Sequence, residues 1–235
     1  MIYETGGRRH EVITVRKRGL KHVTIRVTHA GELRVSVPLH MSSTDLKRAL
    51  AGKERWIAQK LERVRRYADR LDTDRFITIE GHELEVVAVP SDDATEPIVI
   101  EPSTGRCLVA VGEEETASAV LHRTLLAEGR STLPAYARSV AEGVGVPVLH
   151  VYVRNQRTRW GASSNRGNLS LNWRLVMAPE EVRDYLVLHE AAHQRHMNHS
   201  RRFWELVAHW CPGYAEHDRW LTEHAYLLAT FRDPP

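Results

Sequence analysis

Long apolar runs are missing from this chain of 235 residues: no stretch of about 18 apolar residues occurs, so no transmembrane helix is expected. The opening "MIYETGGRRHEV" has no apolar core and no cleavage-like site, so no signal peptide is expected. Cysteine is scarce. Cys107 and Cys211 lie far apart and form no spaced pair, which argues against a disulfide framework or a metal knuckle and suits a reducing cytoplasm. There is no Gly-rich phosphate loop, no recognisable nucleic-acid motif, no internal sequence repeat and no low-complexity tract. What remains is a globular composition, 42% hydrophobic and 27% charged, long enough for one large domain or two small ones with a real core.

The net charge of +3 conceals an asymmetry. Residues 1–70 carry 17 Lys and Arg against 7 Asp and Glu, a net +10, and the rest carry 16 against 23, a net −7. A basic third of this kind is either a solvated surface or a contact for an acidic partner or a polyanion, nucleic acid included.

Alternating, β-branched patterns in "HEVITVRKRG", "HVTIRVTHAG" and "ELRVSVP" predict three strands with turns at Gly19 and Ala30-Gly31. From Ser43 the period becomes helical through Leu46, Leu50, Ile57, Leu61 and Val64, with Thr44-Asp45 in the first turn and a basic polar side. Strands return in "RFITIEGHELEVVAVP", with a hairpin turn at Glu80-Gly81, and in "EPIVIEP" and "RCLVAVG". Residues 113–142 read as a long helix that Pro134 should kink or divide. A domain boundary is placed near 112, giving a strand-rich part with one long basic helix (1–112) and a second domain (113–235). In the latter, "VLHVYVRN", "TRWGASS" and "NLSLNWRL" predict strands, with turns at Gly161 and Asn165–Asn168. Three helices follow, beginning near Pro179, at Ser200 as an N-cap, and near Pro212.

The chemistry concentrates in "LHEAAHQRHMNHS", with four histidines and one glutamate. His189, Glu190 and His193 form H-E-x-x-H. On a helix, positions i and i+4 share a face one turn apart, so two imidazoles can meet one zinc ion. Glu190 is turned about 100° around the helix, where it can take a proton from an attacking water without itself binding the metal. With 14 His in the chain the pattern would arise by chance with a probability of roughly 0.07, so context matters. The preceding "VRDYLVL" is apolar on more than one face, and ionisable groups on a buried helix need partners. For a third ligand, Asn198 can end the helix and Ser200 start the next, bending His199 back toward the metal. His196 is the rival, but a straight helix places it about 10.5 Å along the axis from His189. Glu205 is another rival. Arg159, Asn172, Arg174, Tyr214 and His217 are candidates by type for stabilising an oxyanion, although each alone reads more readily as structural. Trp160, Trp173, Phe203, Trp204 and Trp220 read as core.

The segment "RTRWGASSNRGNLSLNWRLVMAPEEVRDYLVLHEAAHQRHMNHSRRFWELV", with "CPGYAEHDRWL" downstream, resembles the YgjP-like metallopeptidase family, related to the WLM and SprT-like proteins. "RVSVP" and "KERWIAQKLERVRR" fit its leading part. The resemblance implies an α+β fold with a zincin-like C-terminal domain, a small sheet and an HExxH helix. It also implies Zn2+ held by His189, His193 and His199, catalysis by Glu190, and a protein or peptide substrate. Where the family commonly has Ser-Cys after Trp-Gly, this chain has Ala162-Ser163. Two other functions compete with a zinc peptidase. One is metal-dependent hydrolysis of a nucleotide phosphoanhydride, with arginines holding phosphate. The other is a binding module, for nucleic acid for instance, with a structural zinc.

Overall fold

The computed structural model describes residues 2–5, 7–28, 32–66, 72–93, 96–156 and 158–231. Two compact units are present, Met1–Asp69 and Arg70–Pro235. The division does not coincide with the boundary near 112, because the strands of residues 76–111 belong to the second unit.

The first unit holds β1 (Ile2–Thr5), β2 (Arg8–Lys17), β3 (Thr24–Val27) and β4 (Leu33–Pro38), in the order β1-β2-β4-β3. β1 is a strand beyond the three expected. β2 and β4 are parallel, whereas β1 and β3 run antiparallel to their neighbours. Alternation decides the faces: Val12, Leu33, Val35 and Val37 are buried, and Arg26 and Arg34 stand directly opposite each other on the exposed face. The expected turn at Ala30-Gly31 lies outside the described residues.

The single helix expected from Ser43 is two, α1 (Ser43–Ala51) and α2 (Glu54–Arg66). Ser42 caps α1 by accepting the amide of Asp45, and Gly52-Lys53 breaks the run. The apolar spacing hides the break, since Leu46, Leu50, Ile57 and Leu61 all join the core under the sheet. Residues 67–71, which follow α2, lie outside the described residues.

The second unit begins with β5 (Phe76–Ile79), β6 (His82–Pro90), β7 (Ile98–Glu101) and β8 (Arg106–Val111), ordered β5-β6-β8-β7. Its pairing directions repeat those of the first sheet. The hairpin turn falls at Glu80-Gly81 as expected, with φ of 51° and 83°.

Next comes α3 (Ala117–Gly143), capped by Thr116. Pro134 does not divide it. Leu125, Gly129, Leu133 and Ala137 are buried along one side, and a Cβ at Gly129 would stand 2.9 Å from the Trp173 carbonyl oxygen. Packing this close holds the helix together through the lost hydrogen bond at Pro134.

A third sheet, ordered β10-β11-β9, contains β9 (His150–Arg154), β10 (Gly161–Ser163) and β11 (Asn168–Asn172). Gly161 lies in a strand rather than at a turn, and the turn is made further on, where Gly167 has a φ of 76°. A 3-10 turn over Trp173–Met177 leads to α4 (Glu180–Ala192), with Pro179 at its N-cap. α5 (Arg201–Trp210) and α6 (Tyr214–Glu223) complete the helices, and Ala225–Ala229 form a 3-10 turn. Among the described residues no helix is long and apolar enough to cross a membrane.

Candidate metal centre

α4 is buried on several sides, through Val182, Tyr185, Leu186, Val187, Leu188, Ala191 and Ala192. Tyr136 of α3 anchors its first turn, donating to the Asp184 carboxylate at 2.5 Å. Near its C-terminal end the helix carries His189 and Glu190, and His193 is the first residue past it, still in helical conformation (φ −63°, ψ −21°). His189 and His193 therefore remain one turn apart, as the motif requires. The backbone then turns, and Ser200 starts α5 without a side-chain capping bond. In that turn His199 swings back, bringing its Nε2 to 3.1 Å from His189 Nε2.

One ligand atom from each of His189, His193 and His199 fits within a span of 4.8 Å. Hydrogen bonds fix which nitrogens face inward. The Tyr185 hydroxyl donates to Asp218 (3.0 Å), so the 3.2 Å contact between Tyr185 and His189 Nδ1 is made by an imidazole N–H. The carbonyl of His196 can only accept, so His193 Nδ1 at 3.3 Å is protonated as well. Both rings thus offer an Nε2 lone pair. Burial pushes the His189 pKa down to about 4, with His193 and His199 adding to the effect, and burial lowers His193 too. Neutral imidazoles clustered in this way suit a divalent cation. Tetrahedral zinc with bonds of about 2.0–2.1 Å keeps its ligand atoms roughly 3.3 Å apart, close to the His189–His199 separation.

Phe203 of α5 is the floor of the cluster. It is fully buried, and its ring centroid lies 5.0, 4.6 and 4.7 Å from those of His189, His193 and His199. Trp204 stacks on His199 at 5.6 Å and on Tyr214 at 5.4 Å. Reading these aromatics as core describes their burial but misses that they set the ring orientations. The rival ligands take other roles: Glu205 pairs with Arg201 at 2.7 Å, and His196 contributes its backbone carbonyl.

Glu190 is buried, at 6% exposure, and burial raises its pKa to about 7 against an opposing pull from Arg159. Its side chain lies against the first residue of β10. A Cβ on Gly161 would come within 2.8 Å of Glu190 Oε1, so the absence of a side chain at 161 makes room for the carboxylate.

The family model described as YgjP-like, metallopeptidase domain, matches residues 21–224. The chain belongs to this family. Among solved structures, the metallopeptidase zymogen of Pyrococcus abyssi abylysin is similar at 27% identity, over 43% of this chain and 92% of that one, with a TM-score of 0.32. No curated protein matches. The protein is accordingly a YgjP-like hydrolase of metallopeptidase type that works with a divalent metal on peptide or protein.

The remaining candidates divide within this YgjP-like unit. Asn172 is fully buried. Its amide donates to the carbonyls of Gln156 (2.5 Å) and Arg159 (3.3 Å), and its oxygen caps the 3-10 turn, so it is structural. Arg174 is buried too, donating to Asn155 and to the carbonyls of Thr230 and Phe231. Bound in this way it does not reach out for an oxyanion or a phosphate. Trp160 donates its indole N–H to the Leu221 carbonyl. Arg159 is exposed and electrostatically coupled to Glu190, and His217 packs near Tyr185 with ring centroids 6.2 Å apart. Sequence reasoning missed Tyr185, Asp218 and the spatial role of Gly161. The i, i+4 spacing of Tyr185 and His189 was the one available signal.

Proposed function

We propose that the chain is a zinc-dependent peptidase in which His189, His193 and His199 hold Zn2+ and Glu190 is the general base. The observation that carries this reading is the convergence of three imidazoles within 4.8 Å beside a buried carboxylate. Zinc bound there would polarise the scissile carbonyl and acidify a neighbouring water. Glu190 accepts the attacking water's proton and passes it to the leaving amine, a task served by a buried carboxyl that burial makes more basic than an exposed one. β10 stands at one edge of its sheet, and Gly161 on that strand touches Glu190. An extended peptide adding to this edge would pass beside the carboxylate, a common recognition mode. Both cysteines are unpaired, which supports a reducing, cytoplasmic setting.

The test is a panel of casein-like protein, peptides and nucleoside triphosphates, each with and without chelator. Glu190→Gln should keep its zinc and lose about 10²–10⁴-fold in turnover. Undiminished turnover in that variant would rule out the proton shuttle, and turnover of triphosphates alone would rule out the peptidase.

A second reading concerns the first unit, as a dock for nucleic acid. Its net charge of +9, from 16 Lys and Arg against 7 Asp and Glu, supports it, with Arg26 exposed opposite Arg34, which also pairs with Glu32 at 3.0 Å. Double-stranded DNA binding should weaken steeply with salt, and Arg26→Ala should lower the log–log slope by about one. Salt-independent binding, or none, would reject it.

A further inference from the structure

We infer that Asp218 and Tyr185 are positioning residues for the metal ligand His189, forming a relay from α6 through α4 to the imidazole; the inference rests on the zinc-centre reading above. Tyr185 is nearly fully buried, at 1% exposure, one turn before His189. Its hydroxyl has one proton, which goes to Asp218 Oδ1 at 3.0 Å, and its oxygen receives the His189 Nδ1 proton at 3.2 Å. The direction of both bonds is forced. Asp218 anchors the tyrosine, the tyrosine holds the Nδ1–H tautomer, and Nε2 is left as a lone pair facing His199. Asp218 stands at the solvent-exposed end of this chain, and among the described residues no lysine or arginine pairs with it.

The three ligands are unequally held. His193 has a backbone carbonyl at 3.3 Å, whereas His189 has an ordered side-chain pair that spans 33 residues of sequence. A carboxylate reaching a metal-bound histidine through an intermediate group raises the basicity of the imidazole and fixes its ring. Here the tyrosine is that group, and α6 thereby gains a role at a site to which it contributes no ligand.

The test is zinc affinity of the full-length chain, measured by competition with a chromophoric chelator, together with the visible spectrum of the cobalt-substituted protein. Tyr185→Phe should weaken zinc binding by about 10–100-fold and shift the cobalt bands. Asp218→Ala should weaken it in the same direction. Asp218→Asn, which still offers an acceptor to the hydroxyl, should restore most of the affinity. Because Asp218 is exposed, its variants test the relay even if the buried tyrosine cannot be changed without unfolding. Wild-type affinity and an unchanged cobalt spectrum in Asp218→Ala, or in a folded Tyr185→Phe, would overturn the relay while leaving the zinc centre standing. Failure of the unaltered chain to bind zinc, with His189→Ala no worse, would overturn the centre itself.

Discussion

The two four-stranded sheets have one topology and two different employments. In each, the outer strands run antiparallel to a central parallel pair, in the orders β1-β2-β4-β3 and β5-β6-β8-β7. The first is closed over by its own helices, α1 and α2, and sits in a basic unit. The second is built into the unit that carries the histidines. Its Glu80 amide donates to the Met177 carbonyl at 2.8 Å, the Glu80 carboxylate lies 3.6 Å from Arg183 of α4, and Thr78 shares a hydrogen bond with Tyr226. Topology therefore says little about what a sheet does here. What decides it is which residues the hairpin tips and outer faces present.

Truncation breaks the comparison most severely. A fragment beginning at Asp72 should fold and bind zinc as the full chain does, since every member of the cluster and its supports lies in the second unit. Deleting residues 72–112 instead should abolish both folding and zinc binding, because β5–β8 packs on α3 and the hairpin braces α4. Circular dichroism and zinc titration of the two fragments check this. Equal loss in both would mean that the first sheet is as integral as the second.

Glycine 161 gives the next largest effect. Gly7 and Gly19 in the first unit have open space where a Cβ would stand, whereas at Gly161 the carboxylate of Glu190 fills it. Gly161→Ala should push Glu190 aside and lower kcat/KM about a hundredfold with zinc retained, because misplacing a reacting group by about 1 Å costs that much. A variant with full activity would show that the carboxylate is free to move.

The histidine cluster was legible where its logic is local. His189 and His193 follow from helical spacing, and His199 from the turn between Asn198 and Ser200. Asp218 lies 33 residues from Tyr185, and no spacing rule connects residues that distant. Strand existence was largely legible from alternation, but strand order was not, because the parallel pairings β2–β4 and β6–β8 skip over an intervening strand. Gly161 read as a turn because glycine usually marks one; its role is steric, set by a side chain that arrives from α4. Pro134 read as a helix breaker, and tertiary packing around Gly129 and Leu133 prevailed over that local preference.

The smallest effect separates two turn glycines, one from each unit. Gly19 and Gly81 both hold positive φ, 78° and 83°, so replacing either with a β-carbon residue carries a similar backbone cost of about 1–2 kcal/mol. Their surroundings differ. Nothing lies within 4 Å of a Cβ at Gly19, while at Gly81 it would stand 3.4 Å from Pro179 Cγ and 3.8 Å from Trp220 Nε1. Alanine should therefore cost about the same at both sites. Valine should add about 1–3 kcal/mol of overpacking at 81 alone, pressing on the start of α4 and the middle of α6. Thermal melts of the four variants, with zinc affinity measured on each, read out the difference. Gly81→Val should melt lower than Gly19→Val and bind zinc more weakly, since α4 carries His189 and α6 carries Asp218. If the two valine variants match in both measurements, the hairpin of the second sheet does not brace the metal centre, and the functional contrast between the sheets reduces to their charge.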